Sequence, residues 1–369
     1  MNIKIITRHG PSNYGSLLQS IATIKIIERL GHKCEIIDYQ RDDERGMKAI
    51  VAALHKKEEW NNNLMKKLLY IAIRYPIEFN AQRKFDRMRK SYLTMTPRYS
   101  SLDELKTLKA DIFMTGSDQV WGPVLTQKYD EAYFLGFAGI KAKKVAYAAS
   151  FGKTDFNSDI ILQYKEMLSR YDAIAVREDS AVELLNRWNI NCLGQVLDPT
   201  LMLTGNEWEN YIKKDIKGKY VLVYQLHNNH VLSEYAKRFA EHTGLPLMRV
   251  SPSFHQIRRG GKFIYLPDLA DFLSYIKNAT YFITDSFHGT AFALNFNKQF
   301  VEVLPNNSTG SRNQSILKLT GLSDRIVTDY NDFTLAEKTI DYKKVNAVLD
   351  EERVKSMRIL NNLCQTKFV

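Results

Sequence analysis

The sequence has 369 residues, of which 44% are hydrophobic and 25% charged, and these proportions are typical of a soluble globular protein with room for two domains. Its apolar runs stay below the ~18 residues that a membrane span needs, and its N-terminus has no signal-peptide pattern, so we expect a cytoplasmic protein. The three cysteines, Cys34, Cys192 and Cys364, are far apart, which argues against a zinc site or a disulfide framework.

The chain opens with a β-α-β pattern. Residues 2–7 form an apolar strand, and the loop RHGPSNYGSLLQ leads into an amphipathic helix that continues to about Leu30. In GHKCEIIDY, a glycine ends this helix and a second strand follows. Because strands joined by a crossover helix pair in parallel, this opening predicts a parallel sheet.

A basic segment from Arg45 to Arg98 carries most of the net charge. It contains 13 Lys or Arg and 4 Asp or Glu, so it holds +9 of the total of +11. Apolar residues at helical spacing run through it, which predicts a helical insertion. Such a segment suits an anionic membrane surface, although a solvated insertion that packs one face on its own domain would show the same pattern. We recognise no nucleic-acid-binding motif in it. The predicted apolar stripe consists of Leu64, Leu68, Leu69, Tyr70, Ile71 and Ile73.

Strands that end in polar loops recur after the insertion, in ADIFMTGSDQVWGP, KKVAYAASFG and YDAIAVREDSAVELLNRW. A new cycle of strands and helices follows LDPTLMLTG, where Pro199 and Gly205 frame a linker. The pattern predicts an α/β protein with two Rossmann-like domains, a GT-B-like arrangement and an interdomain cleft. The predicted boundaries are 1–205 with the insertion 45–98, 206–345, and a C-terminal helix 346–369 that could cross back.

The stretch YFITDSFHGTAFALNFNKQF places a polar cluster between two apolar elements. Residues 281–284 are predicted to form a buried strand, and 289–297 a short helix. His288 therefore lies where a proton donor could face an anion bound at a helix N-terminus, and Ser286 or Asp285 could cap the helix. The alternative is that Asp285 is only a cap and His288 an ordinary turn residue.

An ordered set of motifs resembles the polysaccharide pyruvyl transferase family. The motifs are NYGSLLQ, GSDQVW, YAASFG, VREDSAVELL, VLDPTLML and TDSFHGTAFALNF, between about Asn13 and Arg325. The resemblance implies transfer of pyruvate from phosphoenolpyruvate to two hydroxyls of a sugar as a cyclic ketal. It also implies that His288 and Arg177 are the catalytic residues. A histidine suits acid-base chemistry, and an arginine presents a planar fork to a carboxylate or phosphate.

The remaining candidate residues follow from this expected reaction. The second domain would bind phosphoenolpyruvate and the first domain the sugar. Trp121 could equally be interdomain core, and Asp198 is interpreted as a turn residue before Pro199. No metal-ligand spacing is present, so we expect no metal or cofactor besides the donor. The candidates for phosphoenolpyruvate are Ser286, Gly289, Lys298 and Arg312, and those for the acceptor sugar are Asn13, Tyr14, Gln19, Asp118, Gln119 and Trp121.

Two other functions fit the same architecture. A nucleotide-sugar glycosyltransferase would bind a nucleoside diphosphate, and a catalytically silent scaffold of polysaccharide assembly would release no phosphate. We expect a pyruvyl transferase of cell-surface polysaccharide biosynthesis, peripheral at the inner face of the cytoplasmic membrane. Its acceptor is expected to be a polyprenyl diphosphate-linked saccharide.

Overall fold

The computed structural model describes residues 1–44, 46–55, 57–124, 129–305 and 310–365. The chain divides into two compact units. The first consists of 1–177, 181–195 and 359–369, and the second of 178–180 and 196–358.

The strands described in the first unit form one parallel sheet. They are β1 (Asn2–Ile6), β2 (Lys33–Tyr39), β3 (Met95–Tyr99), β4 (Ile112–Thr115), β5 (Lys143–Ala149) and β6 (Ala173–Val176). Their order, β3-β2-β1-β4-β5-β6, is that of a Rossmann sheet. The α-helices described from the start of the chain to the one that follows β6 are α1 (Tyr14–Arg29), α2 (Gly46–His55), α3 (Glu58–Asn61), α4 (Leu64–Tyr92), α5 (Leu102–Leu105), α6 (Ser158–Leu168) and α7 (Asp179–Arg187).

The second unit repeats the arrangement. Its described strands are β7 (Val221–Tyr224), β8 (Leu247–Ser251), β9 (Lys262–Tyr265), β10 (Tyr281–Thr284) and β11 (Gln299–Glu302), and they pair in parallel in the order β11-β10-β7-β8-β9. The helices are α8 (Pro199–Met202), α9 (Gly205–Glu209), α10 (His230–Thr243), α11 (Leu269–Asn278), α12 (Phe287–Asn295), α13 (Ser311–Leu319), α14 (Thr334–Glu337) and α15 (Tyr342–Cys364).

Several strands are buried along their whole length, as expected for strands of a parallel sheet. All four residues of the central strands β4 and β7 are buried, and so are those of β6 at the edge of the first sheet. The polar residues that follow these strands therefore lie at the carboxyl edge of each sheet, where ligands bind in this class of fold.

The predicted division at residue 205 lies inside the second unit. Asp198 caps helix α8, every residue of α8 is buried, and α8 packs against α12. The LDPT segment therefore belongs to the core of the second unit rather than to a linker. Helix α15 contributes its residues up to Arg358 to the second unit and those from Ile359 to the first.

The basic insertion is helical only as far as Tyr92. Its last part is strand β3, which pairs with β2 at the edge of the sheet, so the prediction of a helical segment through Arg98 was wrong there. Thr and Tyr favour a strand, and Pro97 is tolerated because β3 is an edge strand. Arg45, the predicted start, lies outside the described residues. Among those that are described, no helix has the length and apolar character to cross a bilayer.

Two of the six residues in the predicted apolar stripe face inward. Tyr70 is buried against Ile50 and Leu54 of α2, and Ile71 packs on the same cluster. The other four are at least half exposed: Leu64, Leu68, Leu69 and Ile73. Helix α4 thus buries one apolar face and exposes further apolar residues around the rest of its circumference.

Candidate functional site

Helix α12 begins directly at the carboxyl end of strand β10. Ser286 is its N-cap, and its hydroxyl accepts a hydrogen bond from the Gly289 amide at 3.3 Å. Gly289 packs on the strand end so closely that a Cβ there would collide with the Thr284 hydroxyl. This contact fixes the first turn of α12, which carries His288, against the edge of the sheet.

Asp285 does not cap this helix. Its two carboxylate oxygens accept hydrogen bonds from the backbone amides of Leu226 (2.7 Å) and His227 (2.9 Å), which follow strand β7. The His227 ring Nδ1 lies 3.3 Å from the same carboxylate. Of the two predicted caps, Ser286 is confirmed and Asp285 is not, because Asp285 instead ties two neighbouring strand ends together.

His288 is buried and faces a carboxylate. Its Nε2 lies 3.8 Å from Oδ2 of Asp198, and the Asp198 side chain has no exposure to solvent. The other oxygen of Asp198 accepts hydrogen bonds from the Thr200 amide (2.9 Å) and hydroxyl (2.6 Å), which hold the carboxylate in place. A protonated His288 would be stabilised by this fixed negative charge, as in other acid-base histidines with a carboxylate partner.

A second buried carboxyl lies on the neighbouring strand. Glu302, at the end of β11, accepts hydrogen bonds from the Thr290 hydroxyl (2.5 Å) and from the Asn313 amide. Burial holds the pKa of Glu302 well above its usual range, and the negative charge of Asp285 adds to this effect. Arg312, in the first turn of α13 beside Asn313, contributes a positive charge that acts in the opposite direction. The network joins α12 to β11 and α13.

In the first unit, Arg177 follows strand β6 and is 3% exposed. Its Nη1 lies 3.4 Å from the hydroxyl of Ser117, which follows β4, two strands away in the sheet. The Arg177 carbonyl accepts a hydrogen bond from the Gln195 side chain at 3.0 Å. The guanidinium is therefore held at the carboxyl edge of the first sheet.

Asp118 and Gln119 extend this polar edge. Asp118 has a positive φ of 74°, and its carboxylate accepts hydrogen bonds from the Ser16 hydroxyl (3.0 Å) and the Gln119 amide (2.8 Å). The Gln119 side chain accepts one from Arg8 at 3.3 Å. Burial alone would lower the pKa of Arg8, but the nearby Glu44 carboxylate raises this pKa, so the guanidinium stays charged.

The model of one protein family, polysaccharide pyruvyl transferase, matches residues 13–308, which is most of the chain. This chain belongs to that family. No curated protein matches it.

Solved structures that resemble this chain support its fold. A putative UDP-N-acetylglucosamine 2-epimerase from Listeria monocytogenes is 11% identical with a TM-score of 0.54, and the alignment covers 97% of this chain and 94% of the other. The Methanocaldococcus jannaschii UDP-GlcNAc 2-epimerase in complex with UDP-GlcNAc and UDP is 14% identical with a TM-score of 0.53, covering 100% and 94%. Arabidopsis thaliana UGT89C1 complexed with UDP-L-rhamnose is 9% identical with a TM-score of 0.51, covering 99% of each chain. The chain therefore has a GT-B-like fold, as predicted.

Lys298 lies at the wrong edge of the sheet to join His288. It precedes β11, and its amino group donates to the carbonyl of Lys277 at 2.6 Å. Parallel strands place their beginnings together, so four residues of strand, ~13 Å, separate this edge from the carboxyl edge. We therefore withdraw Lys298 as a phosphate ligand.

Three residues predicted to contact the sugar are fully buried within the first unit. Tyr14 packs on Phe85 of the insertion, with ring centroids 5.1 Å apart. Gln19 donates to the Thr7 hydroxyl at 3.0 Å, also inside the core. Trp121 donates its indole N–H to the Tyr133 carbonyl at 3.2 Å and lies within an aromatic cluster. These contacts make all three structural, and we withdraw them as sugar ligands.

Asn13 has a structural role and Asp198 a role that the sequence interpretation missed. Asn13 is the N-cap of α1, and its side chain accepts from the Gly15 amide at 2.7 Å. Asp198 was interpreted as a turn residue, and it does cap α8, but its second oxygen faces His288.

No group of three or more His, Cys, Asp or Glu side chains that could hold a metal ion occurs in the described part of the chain.

Proposed function

We propose that this protein transfers pyruvate from phosphoenolpyruvate to two hydroxyls of a sugar, forming a cyclic ketal and releasing phosphate. The observation that carries the proposal is the buried His288–Asp198 pair at the start of α12, in a chain that belongs to the pyruvyl transferase family. The pair supplies a positioned acid and base in a site largely closed to solvent.

The proposed reaction needs one proton donor, and it must account for the two protons that the sugar hydroxyls release. His288 protonates the methylene carbon of phosphoenolpyruvate, which makes the adjoining carbon electrophilic. One sugar hydroxyl attacks this carbon, the bond to the phosphate oxygen breaks, and the second hydroxyl closes the ring. Of the two hydroxyl protons, one replaces the proton that His288 gave up, and the other leaves with the phosphate. Asp198 stabilises the imidazolium between these steps.

Arg177 is proposed to bind the carboxylate or phosphate of the donor. A guanidinium is always charged and matches either group with two parallel hydrogen bonds. Ser286 and Gly289 are proposed to position the donor through the start of α12, and Arg312 to contribute a positive charge. We propose no metal or further cofactor, and full activity in the presence of a chelator would support this.

We also propose that the acceptor is a polyprenyl diphosphate-linked saccharide and that the protein binds the inner face of the cytoplasmic membrane. The support is the exposed apolar residues at the start of α4, where Leu64 is 70% and Met65 79% exposed, beside the basic residues Lys66 and Lys67. Exposed apolar groups next to cations suit an anionic lipid surface.

Flotation with vesicles tests the membrane proposal. Protein should float with vesicles containing anionic lipid at low salt, and less so as ionic strength screens the attraction. A variant with Lys57, Lys66, Lys67 and Arg74 changed to Gln should float poorly. The matched control changes the exposed Lys213, Lys214, Lys217 and Lys219 of the second unit to Gln, which removes the same charge. Equal flotation of the two variants would contradict the proposal. Lys56, in the same basic run, lies outside the described residues.

Incubation with phosphoenolpyruvate and lipid-linked sugars tests the reaction itself. Phosphate release that depends on both substrates, together with a product carrying pyruvate, would support the proposal. Binding of a nucleoside diphosphate sugar and transfer of its sugar would instead indicate a glycosyltransferase.

A further inference from the structure

The first unit contains a polar cavity of about 440 Å³ beside the basic insertion. It lies between helices α2 and α4 and the loops that follow β1 and β2. Its volume falls within the range of small-ligand sites. No residue proposed for the pyruvyl transfer reaction lines this cavity, so it requires a separate explanation. The charged and amide residues that line it include Lys48, Arg89, Arg98, Glu44, Asp86 and Gln82.

The lining of the cavity carries three cations, Lys48, Arg89 and Arg98, and two carboxylates, Glu44 and Asp86. Both of its carboxylates are already paired: Glu44 with Arg8 and Arg41, and Asp86 with Arg89 at 2.8 Å. The Arg98 guanidinium donates to the neutral amide oxygen of Gln40 at 2.9 Å. Three positive and two negative charges leave the lining with a net charge of +1, and Glu44 is offset further by Arg8 and Arg41, which do not belong to the lining, so an anion that enters would meet a net positive charge. Two amide side chains in the lining could also bind hydroxyls or phosphate oxygens.

Some of the exposed apolar residues of α4 form a line that leads towards this cavity. Successive helical residues are rotated by about 100°, so Leu64, Leu68, Tyr75 and Phe79 fall within ~60° of one line along the helix. They are 70%, 59%, 46% and 49% exposed. Gln82 and Asp86 lie on the continuation of the same line and line the cavity.

The distances along α4 fit a chain-like ligand with a charged end. Phe79 precedes Gln82 by three residues, a rise of about 4.5 Å, and Leu64 lies about 27 Å from Gln82 along the axis. An apolar track thus ends at a cationic cavity, an arrangement that matches an isoprenoid chain attached to phosphate.

We propose that the cavity and the apolar track together bind a prenyl diphosphate, with the diphosphate in the cavity and the chain on α4. This proposal rests on the proposed function, because it names the site that would hold the lipid-linked acceptor. A second copy of this chain is the competing occupant of the apolar track, and it would leave the charge of the cavity unexplained.

Calorimetric binding without phosphoenolpyruvate tests the site independently of catalysis. The probes are farnesyl diphosphate, inorganic pyrophosphate and farnesol. We expect farnesyl diphosphate to bind at least about 10-fold more tightly than pyrophosphate, because only the former covers the apolar track. Equal affinities would overturn the proposal and indicate a free-phosphate site. Tightest binding of farnesol would indicate a purely apolar site and also overturn it.

Two variants and two matched controls separate the parts of the site. Arg98→Gln should weaken both phosphorylated probes about 10-fold or more, and Phe79→Ser should weaken farnesyl diphosphate alone. Lys90→Gln, an exposed basic residue of α4 outside the cavity, and Leu162→Ser, a 70% exposed residue of α6, should change neither. Wild-type affinity in Arg98→Gln, or equal losses in variants and controls, would refute the site.

Sedimentation of the same variants tests the competing occupant. If Phe79→Ser dissociates a dimer and leaves farnesyl diphosphate binding unchanged, the apolar track is an interface between copies and the proposal is wrong. Failure of pyruvyl transfer with intact farnesyl diphosphate binding would count against the proposed function but not against this site.

Discussion

Replacing Asp198 by Asn isolates the charge that faces His288. Asn is as good an N-cap as Asp, so helix α8 should keep its cap and the fold its stability. At 3.8 Å and an effective dielectric constant of 20, the full attraction between the carboxylate and an imidazolium is about 4 kcal/mol. Reorganisation and the remaining amide dipole would offset part of it. We take about 2 kcal/mol as the net effect, which corresponds to a ~30-fold lower kcat.

Steady-state phosphate release gives kcat and KM for the Asp198→Asn variant. We expect the loss in kcat with little change in the KM for phosphoenolpyruvate, because Asp198 acts through His288 and not on the substrate. Urea unfolding should give a free energy of unfolding within about 1 kcal/mol of wild type. Thr200→Val is the control, since it removes a hydrogen bond to Asp198 but keeps the charge, and it should cost less activity. An unchanged kcat in Asp198→Asn would assign Asp198 to helix capping alone.

Three further predictions concern single residues. His288→Ala should fold normally and lower turnover by about 10²- to 10⁴-fold, and near-normal turnover would remove His288 from the mechanism. Arg177→Lys keeps the charge but loses the planar fork, so it should raise the KM for phosphoenolpyruvate, whereas unchanged kinetics would make Arg177 structural. Because its folded pKa is raised, the Glu302 carboxyl binds more protons in the folded than in the unfolded state. Wild-type stability should therefore fall as pH rises above the usual pKa of about 4.5, up to the raised value. Glu302→Gln should flatten this dependence in urea titrations at several pH values, and identical slopes would contradict the buried-carboxyl assignment.

The alternation of strands and helices was predictable because each signal is local. The motif loops lie after strands, as in GSDQVW after β4 and DSFHG after β10. The spacing of apolar residues identifies strands and helices. Parallel pairing of the strands then places the loops that follow them at the carboxyl edge of the sheet. Lys298 was misassigned because it is close to His288 in sequence. Helix α12 lies between the two residues and carries the chain from the carboxyl edge of the sheet back to the opposite edge, where Lys298 lies.

The partner of His288 could not be recognised from spacing. Asp198 lies 90 residues before it, and only the packing of α8 on α12 brings the two together. The signal that was available, an Asp immediately before Pro199, also fits a simple helix cap, and the residue performs both roles. Trp121 shows the converse case, because an aromatic residue in a polar motif can equally be a core residue.

Helix α4 was difficult to interpret for a different reason. Some of its apolar residues are buried against α2 and others are exposed, and both kinds occur at helical spacing. The sequence pattern therefore does not distinguish the buried residues from the exposed ones. Tertiary packing decides which face is covered. The predicted stripe therefore combined Tyr70, which is buried, with Leu68, which is exposed.

The most direct test of the proposed reaction is mass spectrometry of lipid-linked saccharides incubated with the protein and phosphoenolpyruvate. The account predicts a product that has gained one pyruvate as a ketal, in an amount equal to the phosphate released, and no such product with His288→Ala. Phosphate release without any pyruvylated saccharide, across acceptors that demonstrably bind, would contradict it.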